Sequence, residues 1–235
     1  MTSNKLARLA GLLYLILLPT TGLWYGTGRS LMAGDAAATL AKVQASRTLF
    51  EVAIVAGAVG YVDYLIMGLV FYQLFRFVSK RAASLLLAFV AASVPLSLAA
   101  VARQIDVLSL LDGAPAFGSD QLQIQVIQAL HSSNSLFLMT NIFSGLWLFP
   151  LGWLMFRSGF APRILYIMLM LGGFFYVLGF AGPVFNADYE NTVVGRIVGI
   201  SCGIPGVIGE LGTGLWLLIR GTRPWRAGAE APVAG

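Results

Sequence analysis

Charge is what this sequence has least of. Only 11% of its 235 residues are Asp, Glu, Lys or Arg. A typical soluble domain carries about 25%. So sparse a set cannot coat a water-facing surface, and 58% of the chain is hydrophobic. Cysteine is nearly absent too. Cys202 stands alone inside an apolar run, which excludes an internal disulfide and any multi-cysteine metal site. There is one histidine, His131, and no acid lies at a helical ligand spacing from it, so no metal is expected. No motif calls for a cofactor. The net charge of +5 does not point to nucleic acid, because the basic residues sit at the ends of apolar runs rather than in one stripe.

What is present is long apolar runs. A membrane-crossing helix needs about 20 apolar residues, and six runs meet that length. They lie at about 6–26, 48–78, 82–101, 135–156, 164–184 and 197–219. The first follows Lys5 and Arg8 as a signal peptide would. It continues past Pro19 to Trp24 and Tyr25 with no prompt cleavage site, so it reads as a span. The expected fold is all-α: a polytopic membrane bundle of six transmembrane helices. It forms a single domain over 1–226, followed by a flexible tail at 227–235.

The connections carry their own signals. Asp35 reads as the cap of a short helix in the first long loop, with Leu40 and Val43 on the membrane surface. Pro95 predicts a kink in the third span. A loop at 113–118 contains Pro115, and Ser119 or Asp120 reads as the cap of a second short helix leading into span four. Residues 157–163 form a tight basic turn. Ten basic residues fall on the side of the N-terminus: Lys5, Arg8, Arg76, Lys80, Arg81, Arg157, Arg163, Arg220, Arg223 and Arg226. Five fall on the other: Arg29, Lys42, Arg47, Arg103 and Arg196. That excess puts both termini in the cytoplasm and the two short helices outside.

These residues also resemble a family. Ala7-Arg8-Leu9-Ala10-Gly11-Leu12-Leu13-Tyr14 opens the chain, and Gly34-Asp35-Ala36-Ala37-Ala38-Thr39 precedes the second span. The turn from Arg157 through Gly159 and Pro162 to Leu165 joins spans four and five, and Glu210 with Trp216-Leu217-Leu218 and Gly221 closes the set. In that order they resemble a bacterial membrane family catalogued as domain of unknown function four-three-eight-six. The resemblance covers about residues 5–221. It implies a multi-pass protein of the bacterial inner membrane, and it brings no activity and no catalytic residues.

Function has to be sought in the polar residues that the spans tolerate. An acid at mid-depth costs roughly 2.5–3.5 kcal/mol on insertion scales and is a functional candidate by default. Asp63 and Glu210 both lie there. On a helical wheel Asp63 shares its side with Ala56, Gly60 and Met67, and Asn141 with Asn134, Gly145 and Gly152. Glu210 shares its side with Gly199, Gly203, Gly206 and Gly214, so it points along a packed seam. Asp63, Asn141 and Glu210 are therefore candidates for one central polar cluster. That cluster is either a ligand site or interhelical glue. Gly199-Ile200-Ser201-Cys202-Gly203 matches a nucleophile-elbow pattern, which needs a strand–turn–helix setting that a glycine-rich span does not offer. A second group, Glu51, Arg103, Asp106 and His131, is expected at the outer ends, with Arg103 pairing Glu51 or Asp106 and facing a polar head group.

The leading reading is a protein that binds or transports a small cation, a proton or an amphipathic ligand. Its expected partners are the lipid bilayer and a small-molecule or lipid ligand. An intramembrane enzyme acting on a lipid-like substrate, with His131 and an acid in proton transfer, is the second. A structural or regulatory membrane subunit is the third.

Overall fold

The computed structural model describes residues 3–32, 34–114, 117–186 and 188–222, leaving aside the side chains of Glu190 and of residues 199–204. The candidate tail at 227–235, the loop proline Pro115, and Arg223 and Arg226 lie outside the described residues. Eight α-helices are described: α1 (Ser3–Leu31), α2 (Ala36–Ala45), α3 (Arg47–Phe75), α4 (Lys80–Asp112), α5 (Ser119–Leu146), α6 (Leu148–Ser158), α7 (Arg163–Phe185) and α8 (Val193–Arg220). No strand occurs among the described residues. Helices are the expected answer for an apolar chain, because a backbone in lipid must satisfy its hydrogen bonds within its own segment.

Among the described residues, five helical segments are long and apolar enough to cross a membrane: α1, α3, α4, α7 and the combined run Ser119–Ser158. α8 is a further long helix of 28 residues.

Side chains set the helix ends. Asp35 caps α2, its Oδ1 accepting from the Ala38 N–H at 2.7 Å. Ser79 caps α4 and Thr192 caps α8 in the same way. Gly159 adopts φ +63°, where a side chain is disfavoured, and so terminates α6 before the basic turn.

Five expectations need correction. Neither Ser119 nor Asp120 caps α5: the N-cap is Gly118, and the Ser119 hydroxyl is turned to Asp120 Oδ1 at 3.1 Å. The second short outer helix is not a separate element, because the polar run 119–130 continues without a break into the apolar one as α5. Span four breaks instead at Trp147. Pro150 has no N–H to give to the Leu146 carbonyl, so the ladder lapses there and resumes as α6. The helix of span three runs past Val101 to Asp112 and carries Pro95 inside it. In α2, Val43 is fully buried and Leu40 packs partly against the core, because the helix leans on α5.

The long helices form a closed, up-and-down ring in chain order: α1, α3, α4, α5 with α6, α7, α8, and back to α1. Paired residues show that neighbours run antiparallel. Trp24 meets Gly57 and Thr20 meets Gly60 between α1 and α3. Gly68 meets Val90, and Arg47 meets Asp112, between α3 and α4. Ser133 bonds the Ala100 carbonyl, and Ser97 bonds Thr140, between α4 and α5. Gly145 meets Gly173 between α5 and α7, and Gly172 meets Gly206 between α7 and α8. Gly11 meets Leu218, closing the ring between α8 and α1.

Glycine makes the last of these contacts possible. A Cβ at Gly209 would stand 2.7 Å from the Leu169 nitrogen, and one at Gly11 would stand 2.5 Å from the Leu218 nitrogen. Backbone packs on backbone there, as small residues permit in membrane bundles. The outer surface is apolar, with Val52, Val55, Val59 and Val62 of α3 all exposed.

Candidate functional site

The centre of the ring is aromatic. Trp147, at the break between α5 and α6, reaches Tyr14 at 5.9 Å, Tyr64 at 5.4 Å and Phe71 at 6.2 Å between ring centroids. Trp147 keeps helical backbone angles at that break. Tyr14 and Phe71 meet edge to face at 6.0 Å.

Glu210 enters this cage from α8 and is only 8% exposed. The Tyr176 hydroxyl of α7 donates to its Oε1 at 3.4 Å. Tyr14 and Tyr64 are within electrostatic reach of the same carboxylate. Their hydroxyls are buried without a formed hydrogen bond, Tyr14's lying near enough to Glu210 to act on it as a donor. On the same face one turn further on, the Thr213 hydroxyl is likewise buried without a partner. None of the ion pairs among the described residues reaches Glu210. The result is one buried carboxylate and three phenols from four helices. Gly206 opens the space beside it, standing near both the Tyr176 ring and Glu210 Oε1.

Chemically, such a cage can hold a proton or coordinate a small cation. The carboxylate supplies charge, the phenol oxygens supply neutral ligands, and the tyrosine faces add cation–π attraction.

Asp63 is 7% exposed on α3, and its Oδ2 is buried without a partner. The antiparallel register that sets Gly68 beside Val90 puts it level with Pro95 of α4. On that stretch of α4 the Ser93 hydroxyl is buried and unpartnered, while Ser97 reaches Thr140 of α5 at 3.4 Å. Asn141 is half-buried and makes no hydrogen bond among the described residues. No hydrogen bond joins Asp63, Asn141 and Glu210 to one another; Glu210 is held by tyrosines instead. Tyrosines 14, 64 and 176 were readable as a signal. Tyrosine favours membrane interfaces, so three of them well inside apolar spans needed partners.

The outer group divides into separate pairs. Arg103 pairs with Asp106 at 3.0 Å along α4, and both are exposed. Glu51 pairs with Arg47 at 2.8 Å, and Arg47 also reaches Asp112 at 2.8 Å, tying α3 to α4. Arg103 therefore does not pair with Glu51. His131 is exposed and makes no hydrogen bond or ion pair among the described residues. No group of three His, Cys, Asp or Glu residues placed to hold a metal occurs among the described residues. Residues 199–203, the elbow-like pattern, lie within the helical run of α8, not at a strand–turn–helix junction.

The model of a family described as domain of unknown function (DUF4386) matches residues 9–221. The chain belongs to that family. No curated protein and no solved structure matches it.

Proposed function

We propose that this member of the family is a six-span membrane protein that binds or carries a small cation, in the simplest case a proton, at Glu210. The observation that supports the reading is the placement of Glu210. It is a carboxylate buried at mid-span, met by one long hydrogen bond from Tyr176 and flanked by the phenols of Tyr14 and Tyr64. A purely structural acid is expected to find a short bond or a cationic partner. Asp63, buried on α3 with an unpartnered oxygen and in none of the ion pairs among the described residues, is a second station for the same ion. Asn141, half-buried on α5, completes the candidate set as a neutral ligand.

The sixth span in this reading is α8, whose 28 residues pack against α1 and α7 as the other long helices pack against their neighbours. With six spans both termini share one side. The excess of basic residues at that end supports a cytoplasmic side for both termini, and the resemblance of the motifs supports a bacterial inner membrane.

The test is flux in proteoliposomes. An imposed pH or cation gradient should dissipate through the wild type and not through Glu210→Gln, with Asp63→Asn measured beside it. If Glu210→Gln conducts like the wild type while folding normally, the reading fails.

A further inference from the structure

We propose that a groove between α7 and α8, at the end of the bundle that holds the N-terminus, binds an anionic phospholipid by an acyl chain and its phosphate. This site lies apart from the Glu210 cage. It shares with the six-span reading only the placement of α8 against the bilayer.

The walls of the groove are apolar. Ile164 and Leu165 line it from the start of α7, and Leu215 and Trp216 from the last turns of α8, with Arg220 at its polar end. Its floor is Leu165 laid against Gly212, where a Cβ would stand 2.7 Å from Leu165 Cδ2. The volume is about 280 Å³. An apolar cavity of about 150 Å³ already binds benzene, so a length of acyl chain fits. Ile164 and Leu215 are exposed on the rim. Since α7 is long and apolar enough to cross a membrane, that exposed flank meets lipid tails.

The polar end is held in place. The Trp216 indole N–H donates to the Phe160 carbonyl at 3.0 Å, tying α8 to the turn before α7. A tryptophan at a helix end marks the head-group level of a bilayer. Arg220 is the last residue of α8, and its guanidinium carbon lies 5.9 Å from the centroid of the Trp216 ring. That contact steadies the cation and leaves its N–H groups for an acceptor. Arg220 is exposed, and its side chain makes no ion pair among the described residues. No Asp or Glu lines the groove among the described residues.

Charge at this end selects the lipid. Of the ten basic residues on the side of the N-terminus, Arg223 and Arg226 fall outside the described residues, and eight remain. None of the eight pairs with an acid, and no Asp or Glu stands at this end, among the described residues. A phosphate finds the fork of Arg220 here. Arg163, between the lining residues Pro162 and Ile164, adds a second charge at the same level. An ammonium head group finds no acid to pair with. The groove therefore favours an anionic lipid over a zwitterionic one, as basic pockets between spanning helices do.

Two measurements test this on the full chain in nanodiscs of equal phosphatidylglycerol and phosphatidylcholine. In the first, each lipid in turn carries a photoreactive diazirine on an acyl chain, and labelled peptides are mapped by mass spectrometry. In the second, lipids retained on release are counted by native mass spectrometry. Phosphatidylglycerol should label the peptides holding Ile164 and Leu215 about tenfold more than phosphatidylcholine does, and should be retained with the same preference. Arg220→Gln should remove most of that preference. Leu215→Trp fills the groove and should lower labelling by both lipids, whereas Arg103→Gln at the opposite end should change nothing. Both groove positions are exposed, so the variants should melt with the wild type. Equal labelling by the two lipids in the wild type means that Arg220 only snorkels at the interface, and overturns the proposal. So does a preference that survives Arg220→Gln, or a dimer that covers the groove and excludes the label. Neither measurement uses ion flux or reporter fusions, so the Glu210 and six-span readings stand or fall separately.

Discussion

The hydroxyl of Tyr176 donates to Oε1 of Glu210 at 3.4 Å, bridging α7 and α8 at the centre of the ring. The bond is long, and the same carboxylate has Tyr14 and Tyr64 close by, Tyr14 near enough to interact with it as a donor. An acid held this loosely can accept a proton or an ion without dismantling the fold. Tyr176→Phe removes this bond and leaves the ring in place. Interhelical hydrogen bonds in membrane proteins contribute about 0.6 kcal/mol on average. The variant should therefore melt within a few degrees of the wild type while its flux changes several-fold. Equal flux in the two proteins would remove Tyr176 from the site.

Close helix approach gives a sharper stability test. Gly209→Ala and Gly11→Ala each drive a methyl into backbone, at 2.7 and 2.5 Å from the nearest nitrogen. Overpacking of this kind costs about 1–3 kcal/mol. Gly22→Ala meets nothing within 4 Å and should be neutral. Thermal unfolding in detergent should separate the first two from the third. Identical melting points for all three would contradict the packing described.

The far-end ion pairs should matter less. Arg47 bridges Glu51 and Asp112 with its side chain substantially exposed. Exposed pairs contribute little and are screened by salt. Arg47→Gln should lower the melting temperature slightly at low salt and not at all at high salt. A combined Arg47→Glu and Asp112→Arg exchange should recover part of the loss, whereas Arg103→Glu with Glu51→Arg should recover none.

Span count and orientation are tested by reporter fusions. Fusions after Lys80 and Arg157 should report the cytoplasm, and fusions near Gly113 and Asn191 the opposite side. A single loop reporting the wrong side would break the six-span arrangement.

Much of the fold was legible because membrane helices announce themselves by length. The runs around residues 48–78 and 164–184 became α3 and α7 nearly as read, and Asp35 capped α2 as its position implied. The burial of Glu210 was legible too, from glycines on its own face. What stayed hidden depended on neighbours. Helical periodicity places Asp63, Asn141 and Glu210 on inward sides, yet it does not fix how helices rotate against each other. Glu210 consequently meets Tyr176 and Tyr14 rather than Asp63. Glu51 was taken by Arg47, one turn away on its own helix, before Arg103 could compete for it. The break at Trp147 came from a proline three residues downstream, whose missing N–H acts on a carbonyl behind it.

Infrared difference spectroscopy of the carboxyl stretch addresses Glu210 directly. Spectra are recorded on reconstituted protein as pH is stepped, and again as the candidate cation is added, for the wild type and for Glu210→Gln. An ion-binding Glu210 predicts a carboxyl band that appears and disappears reversibly with pH, responds to the cation, shifts in Tyr176→Phe and is missing from Glu210→Gln. Difference spectra that are the same in the wild type and Glu210→Gln would contradict it.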